Sequence, residues 1–229
     1  MYEVLLFELE GVLADTGPAR RDALLRSLAD EGLTITAEQY EDACAGFPVR
    51  EAAVAAVAMA GKSLDATGLD LLSLRAERYF AGTIGKGVSL TPGAREFIER
   101  AAPRVRLGIV TRASRRDAEY LLGLAGWEGA FETVITCDDA HTQKPSADPY
   151  EVALDRLARR RHSRPARILA LEDGPAGILS ARAVKIRCVA VGRVPAHHAV
   201  KADAYVPSLE GHTVESLGDL VERGREHVR

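Results

Sequence analysis

From Thr91 onward, short apolar runs alternate with amphipathic segments, and this alternation constrains the fold more than any other feature of the chain. Residues 92–102 predict a helix and 105–110 a strand, then 115–124 a helix and 134–136 a short strand. Residues 149–159, 168–171, 176–184 and 188–191 repeat the pattern, and a strand at 204–206 with a helix at 213–223 closes it. Strands alternating with helices predict an α/β fold, a Rossmann-like doubly wound parallel sheet.

The first strand of that sheet lies at the other end of the chain. Val4-Leu5-Leu6-Phe7 rises into Glu8 and Glu10 and breaks at Gly11. A short apolar run bounded by glycine reads as a buried parallel strand. Residues i and i+2 of an extended chain share a face, so Glu8 and Glu10 are expected to project together from its carboxyl end. Open α/β sheets bind their ligands at that end. Two neighbouring carboxylates repel each other unless a cation or basic group accompanies them.

Residues 18–33, 37–44, 50–60 and 69–80 read as four helices with no strand between them. Pro18 suits a first helical turn, and Arg-Glu-Ala-Ala-Val-Ala-Ala-Val-Ala-Met-Ala from Arg50 has strong helix formers and no strand alternation. Gly17 precedes the block, and Gly82, Gly85 and Gly87 follow it as linker signals. The expected organisation is a core of residues 1–16 and 84–229 with an inserted four-helix cap, 17–83.

Composition narrows the function classes. A net charge of −3 gives no electrostatic footprint for nucleic acid. Cys44, Cys137 and Cys188 are odd in number and lack zinc spacing, so they read as reduced, buried thiols. No signal peptide and no long apolar span is visible, so a cytoplasmic protein with no membrane partner is expected. The Arg159-Arg160-Arg161-His162 run reads as a solvated helix end, His197-His198 as loop, and Trp127 and Phe131 as core.

Each later strand also ends in polar residues. Residues 107–110 deliver Thr111 and Arg112, a loop carries Lys144-Pro145, and 168–171 deliver Glu172-Asp173 before Gly174. A parallel sheet brings these together. Carboxylates, a hydroxyl and a lysine are what phosphoryl chemistry with Mg²⁺ uses.

The ordered set resembles the haloacid dehalogenase-like superfamily, in the subgroup with a helical cap after the first motif, which includes beta-phosphoglucomutase and phosphoglycolate phosphatase. Glu8-Leu9-Glu10-Gly11-Val12-Leu13-Ala14-Asp15-Thr16 resembles the first motif, Ile109-Val110-Thr111 the second, Lys144-Pro145-Ser146-Ala147-Asp148-Pro149-Tyr150 the third, and Leu171-Glu172-Asp173-Gly174-Pro175-Ala176-Gly177-Ile178 the fourth. The resemblance implies that Glu8 is the nucleophile and a metal ligand, and that Glu10 is the acid/base whose carbonyl also binds metal. It implies that Thr111 and Lys144 hold the phosphoryl group, with Glu172 and Asp173 completing a Mg²⁺ site. Arg50, in Gly46-Phe47-Pro48-Val49-Arg50, and Arg75 resemble basic cap positions that bind substrate, and Arg112 is a further candidate for contact with phosphate. Arg20 stands near where beta-phosphoglucomutase has a hinge histidine, which argues against that mutase activity.

One departure stands out. The family's first motif is Asp-x-Asp, and here it is Glu8-Leu9-Glu10. Each glutamate carries its charge one methylene further, roughly 1.5 Å, and a misplacement of about 1 Å can cost on the order of a hundredfold in rate. The leading expectation is a Mg²⁺-dependent phosphatase of a small phosphorylated metabolite, with cap closure excluding water. The alternative is a catalytically impaired relative that binds a phosphorylated ligand or a protein partner, and a third reading is a sugar-phosphate mutase. A monomer or homodimer is expected, and the substrate is left open.

Overall fold

In the computed structural model, residues 1–161 and 163–226 are described. They cluster into two compact units, Met1–Asp15 with Ser89–Arg229, and Thr16–Val88.

The first unit is built on a six-stranded sheet of order β5-β4-β1-β6-β7-β8. Its strands are β1 (Val4–Phe7), β4 (Arg106–Val110), β5 (Thr133–Ile135), β6 (Ile168–Glu172), β7 (Arg187–Val191) and β8 (Ala204–Val206), and every pairing among them is parallel. Parallel strands need crossovers, and helices supply them: α5 (Ala94–Ala101), α6 (Arg115–Ala125), α7 (Asp148–Arg160) and α8 (Pro175–Ala183), with a short α9 (Ala196–Ala199) before β8 and α10 (Val214–Glu226) after it. His197 and His198 therefore lie in a helical turn rather than a loop. His162, the last member of the arginine run, lies outside the described residues, while Arg159 and Arg160 occupy the last turn of α7.

β1 sits between β4 and β6, with Val4–Phe7 in register with Arg106–Ile109 on one side and Ile168–Leu171 on the other. Side chains alternate across it. Val4 and Leu6 pack with Tyr150, Ala153 and Leu157 of α7 and with Ile178 and Ala181 of α8. Phe7 turns the other way, edge-on to Phe97 and Phe131 at 6.1 and 6.2 Å between ring centroids. Trp127 and Phe131 are buried, as core residues should be.

A second, two-stranded sheet had no signal in the sequence. β2 (Ala14–Asp15) pairs antiparallel with β3 (Ser89–Leu90). Two residues are too few to show a period, so only the contact reveals it. The three cysteines are free, but Cys137 is partly exposed rather than buried.

The second unit is helical: α1 (Gly17–Asp30), α2 (Ala37–Ala43), α3 (Val49–Met59) and α4 (Ala66–Ile84). Thr36 and Gln39 form a reciprocal capping box on α2, and Asp65 caps α4 by accepting from Gly68 N–H at 2.7 Å. Leu24, Leu28, Tyr40, Ala53, Ala56 and Leu72 form its core. Gly82 lies inside α4 rather than in a linker, because the helix runs on to bury Ile84. The chain leaves this unit at Val88, later than the glycines suggest.

Candidate active site

Strand parity sets the first side chain. Glu8 follows Val4 and Leu6 in the two-residue repeat, and so turns toward the α7 side of the sheet. Its backbone N–H still donates to Leu171 O at 2.9 Å, which extends the β1–β6 ladder. Glu172 stands in the same relation to Ile168 and Ala170 of β6. Two carboxylates thus enter one buried space from neighbouring strand ends.

Lys144, in the loop before α7, lies between them. Its ammonium donates to Glu8 Oε2 at 2.9 Å, Glu172 Oε1 at 2.6 Å and Val110 O at 2.6 Å. The side chains of Lys144 and Glu172 are each 1% exposed and that of Glu8 is 5%. An unpaired charge at such depth is prohibitively costly, so each member of the triad requires the others. The Thr111 hydroxyl, just past β4, donates to Glu8 Oε1, and Leu9 N–H donates to the same oxygen at 2.8 Å. Ala113 N–H donates to Thr111 Oγ1 at 3.2 Å and fixes the hydroxyl.

Sequence reasoning passed over Tyr150. This buried residue of α7 donates its hydroxyl to Glu172 Oε1 at 2.6 Å, and Lys144 Nζ lies 5.6 Å from its ring centroid. The available signal was chemical, since a buried phenol almost always has a polar partner. Two glycines also have a steric role that the sequence does not reveal. A Cβ on Gly177 would come 1.9 Å from Glu172 Oε2, and one on Gly11, at φ +80°, would come 2.3 Å from Asp173 Oδ2. Both positions have to be bare for the carboxylates to sit where they do.

Electrostatics follow from this crowding. Burial disfavours the Lys144 ammonium, yet Glu172 and then Glu8 outweigh it, and its pKa is raised. Burial raises Glu172, with Lys144 opposing it and Glu8 adding to it. Half-buried Asp173 is pushed up to about 7 by desolvation, then by the charges of Glu8 and Glu172, with Arg112 pulling the other way. Glu8, Glu172 and Asp173 each offer an oxygen within 4.8 Å of the others. Three hard oxygen donors, two of them with raised pKa values, fit a divalent cation such as Mg²⁺.

Of the remaining candidates, Arg112 acts on the site through its charge on Asp173. Glu10 does not accompany Glu8 as an extended strand would place it. β1 ends at Phe7, and a tight loop turns the chain back, with Leu13 and Ala14 N–H both donating to Leu9 O at 3.0 and 2.9 Å. The Glu10 carboxylate is outside the three-carboxylate group. In the helical unit Arg50 pairs with Asp70 at 2.7 Å, and Arg75 pairs with Glu31 and, at 3.9 Å, with Asp30. Arg20 Nη1 donates to both oxygens of Glu77, at 3.0 and 2.9 Å.

Fold and site together define an α/β protein whose acidic, hydroxyl and ammonium groups meet at the carboxyl edge of a parallel sheet. The sequence model of the haloacid dehalogenase-like hydrolase family matches residues 5–191, and the chain belongs to that family. It is 32% identical over 195 residues to the validoxylamine A 7'-phosphate phosphatase of Streptomyces hygroscopicus subsp. limoneus, covering 82% of this chain and 85% of that one. It is 30% identical to protein CbbY of Rhodobacter capsulatus, over 95% and 98% of the two chains. The crystal structure of beta-phosphoglucomutase from Clostridium difficile superposes with a TM-score of 0.81 at 19% identity, over the whole of both chains, and so shares the fold. No helix among the described residues is long and apolar enough to cross a membrane.

Proposed function

We propose that the chain is a Mg²⁺-dependent phosphatase of a small phosphorylated metabolite. One observation carries the reading: Glu8, Thr111, Lys144 and Glu172 meet in a single buried hydrogen-bonded set, with Asp173 beside it. The phosphatase relative at 32% identity supports the substrate class.

In this reading Thr111 and Lys144 hold the phosphoryl oxygens, and a Glu8 oxygen bonds to phosphorus as the ester P–O bond breaks. Glu10 gives a proton to the departing alkoxide and later takes one from the water that attacks the acyl phosphate, which releases inorganic phosphate and restores Glu8. Glu8, Glu172 and Asp173 would hold Mg²⁺, which supplies positive charge to offset that on the phosphoryl group. Arg112 serves as a further anion contact.

Phosphate release from a panel of small phosphate esters with Mg²⁺ tests this. The native chain should turn over at least one ester, and Glu8→Ala should lower the rate roughly a hundredfold or more. A second reading, a catalytically impaired relative that binds a phosphorylated ligand, is favoured by the complete engagement of the Glu8 carboxylate with internal donors. Silence from the native chain together with release by Glu8→Asp/Glu10→Asp would select it.

A further inference from the structure

The three donors on Glu8 have a geometry of their own. Leu9 N–H and the Thr111 hydroxyl converge on Oε1, and the Lys144 ammonium reaches Oε2. A backbone amide, a hydroxyl and an ammonium aimed at one small volume make an oxyanion cradle, in which charge-assisted bonds favour a compact multivalent anion. All three donors are buried, and a carboxylate fills the space between them. We infer that the Glu8 side chain is the resident occupant of the chain's own tetrahedral-oxyanion site, so that phosphate or a phosphoryl group enters only when the Glu8 carboxylate swings out.

This rests on Thr111 and Lys144 being the phosphoryl holders of the proposed function, and it deepens that reading by adding Leu9 N–H and a resident competitor. The competition follows from reach. A carboxylate one methylene closer to the backbone would end short of the cradle by roughly one C–C bond, about 1.5 Å. Glu8 is long enough to accept from the residue next to it and from Thr111 at once. An incoming phosphate therefore breaks three hydrogen bonds before it makes its own, and it also faces the charge it displaces. The site trades affinity for closure.

The test is binding of inorganic phosphate, measured by titration calorimetry on the native chain and on Glu8→Asp and Glu8→Ala. Each shortened variant should bind phosphate about tenfold to a hundredfold more tightly than the native chain, the scale of one charged hydrogen bond regained. Thr111→Val in the Glu8→Asp background should remove that gain, which locates the phosphate in the cradle. Glu8→Asp keeps a negative charge for Lys144 and so guards against loss of folding in Glu8→Ala, with a thermal melt checking both. Equal affinity for native and shortened forms overturns the inference, as does a gain that survives Thr111→Val. The proposed function fails separately. A native chain that hydrolyses esters yet binds phosphate no more weakly than Glu8→Asp keeps the phosphatase reading and loses this one. Shortened forms that bind phosphate while no form hydrolyses esters do the reverse.

Discussion

At the residue scale, the convergence of Glu8, Thr111, Lys144 and Glu172 was legible because Glu8 and Thr111 follow strands of a parallel sheet, Glu172 ends one and Lys144 lies in the loop before α7, and strand parity turns Glu8 and Glu172 the same way. Glu10 was not legible, because the i, i+2 rule holds only while the chain stays extended, and β1 ends at Phe7. Tyr150 was hidden for a different reason: its side chain is apolar in every pattern count, and only its depth forces the hydroxyl to seek Glu172. Removing that hydroxyl should show what it does. Tyr150→Phe leaves Glu172 Oε1 with the bond from Lys144, and loss of a buried hydrogen bond to a charged acceptor costs about 1.5–3 kcal/mol. If Glu172 helps to hold Mg²⁺, the same variant should weaken Mg²⁺ binding on the order of tenfold, since partners that orient a ligand carry that scale of effect. Calorimetric Mg²⁺ titration alongside a thermal melt separates the two, and unchanged Mg²⁺ affinity in a folded Tyr150→Phe would remove Glu172 from the metal set. Gly177→Ala is the steric counterpart. Its Cβ would sit 1.9 Å from Glu172 Oε2, so the carboxylate or the first turn of α8 has to move. Overpacking of this kind costs about 1–3 kcal/mol, and a melt of Gly177→Ala should show it.

At the element scale, the alternating order of strands and helices could be read because each crossover helix carries its own period, whereas the β2–β3 ribbon could not, having two residues a side. Glycine was the least reliable punctuation. Gly82 reads as a linker from its neighbours Gly85 and Gly87, yet it lies within α4, where an added Cβ would meet nothing within 4 Å. Burial of Ile84 two residues on outweighs the entropic cost of a helical glycine. Gly82→Ala should therefore stabilise the chain by about 0.5–1 kcal/mol, read as a higher denaturation midpoint. A glycine in a true linker would give no such gain, so a neutral or lowered midpoint would contradict the helical placement.

At the scale of the whole molecule, acid stability is governed less by the net charge of −3 than by carboxylates whose ionised forms the fold holds. Asp139 is the clearest of these. Burial raises its pKa, but hydrogen bonds from Arg156, at 2.6 Å, and from the Thr136 hydroxyl and N–H, at 2.7 and 2.8 Å, outweigh that and hold it at about 2. Arg115, at the start of α6, pairs with it as well, so one carboxylate ties the end of β5 to α6 and α7. The pKa is depressed in the folded state, so its stabilisation is present above the unfolded value of 3.8 and fades as pH falls toward 2. A displacement of that size is worth at most about 2.5 kcal/mol. The Arg115 and Arg156 side chains are 34% and 40% exposed, and screening brings the figure nearer 1 kcal/mol. Asp139→Asn should then lose about 1 kcal/mol at pH 7 and little at pH 2, so that native and variant stability curves converge as pH falls through that window. Urea melts from pH 7 to pH 2 measure the convergence. Parallel curves, with the same gap at both ends, would mean that Asp139 acts through hydrogen-bond geometry that asparagine fails to reproduce rather than through its charge.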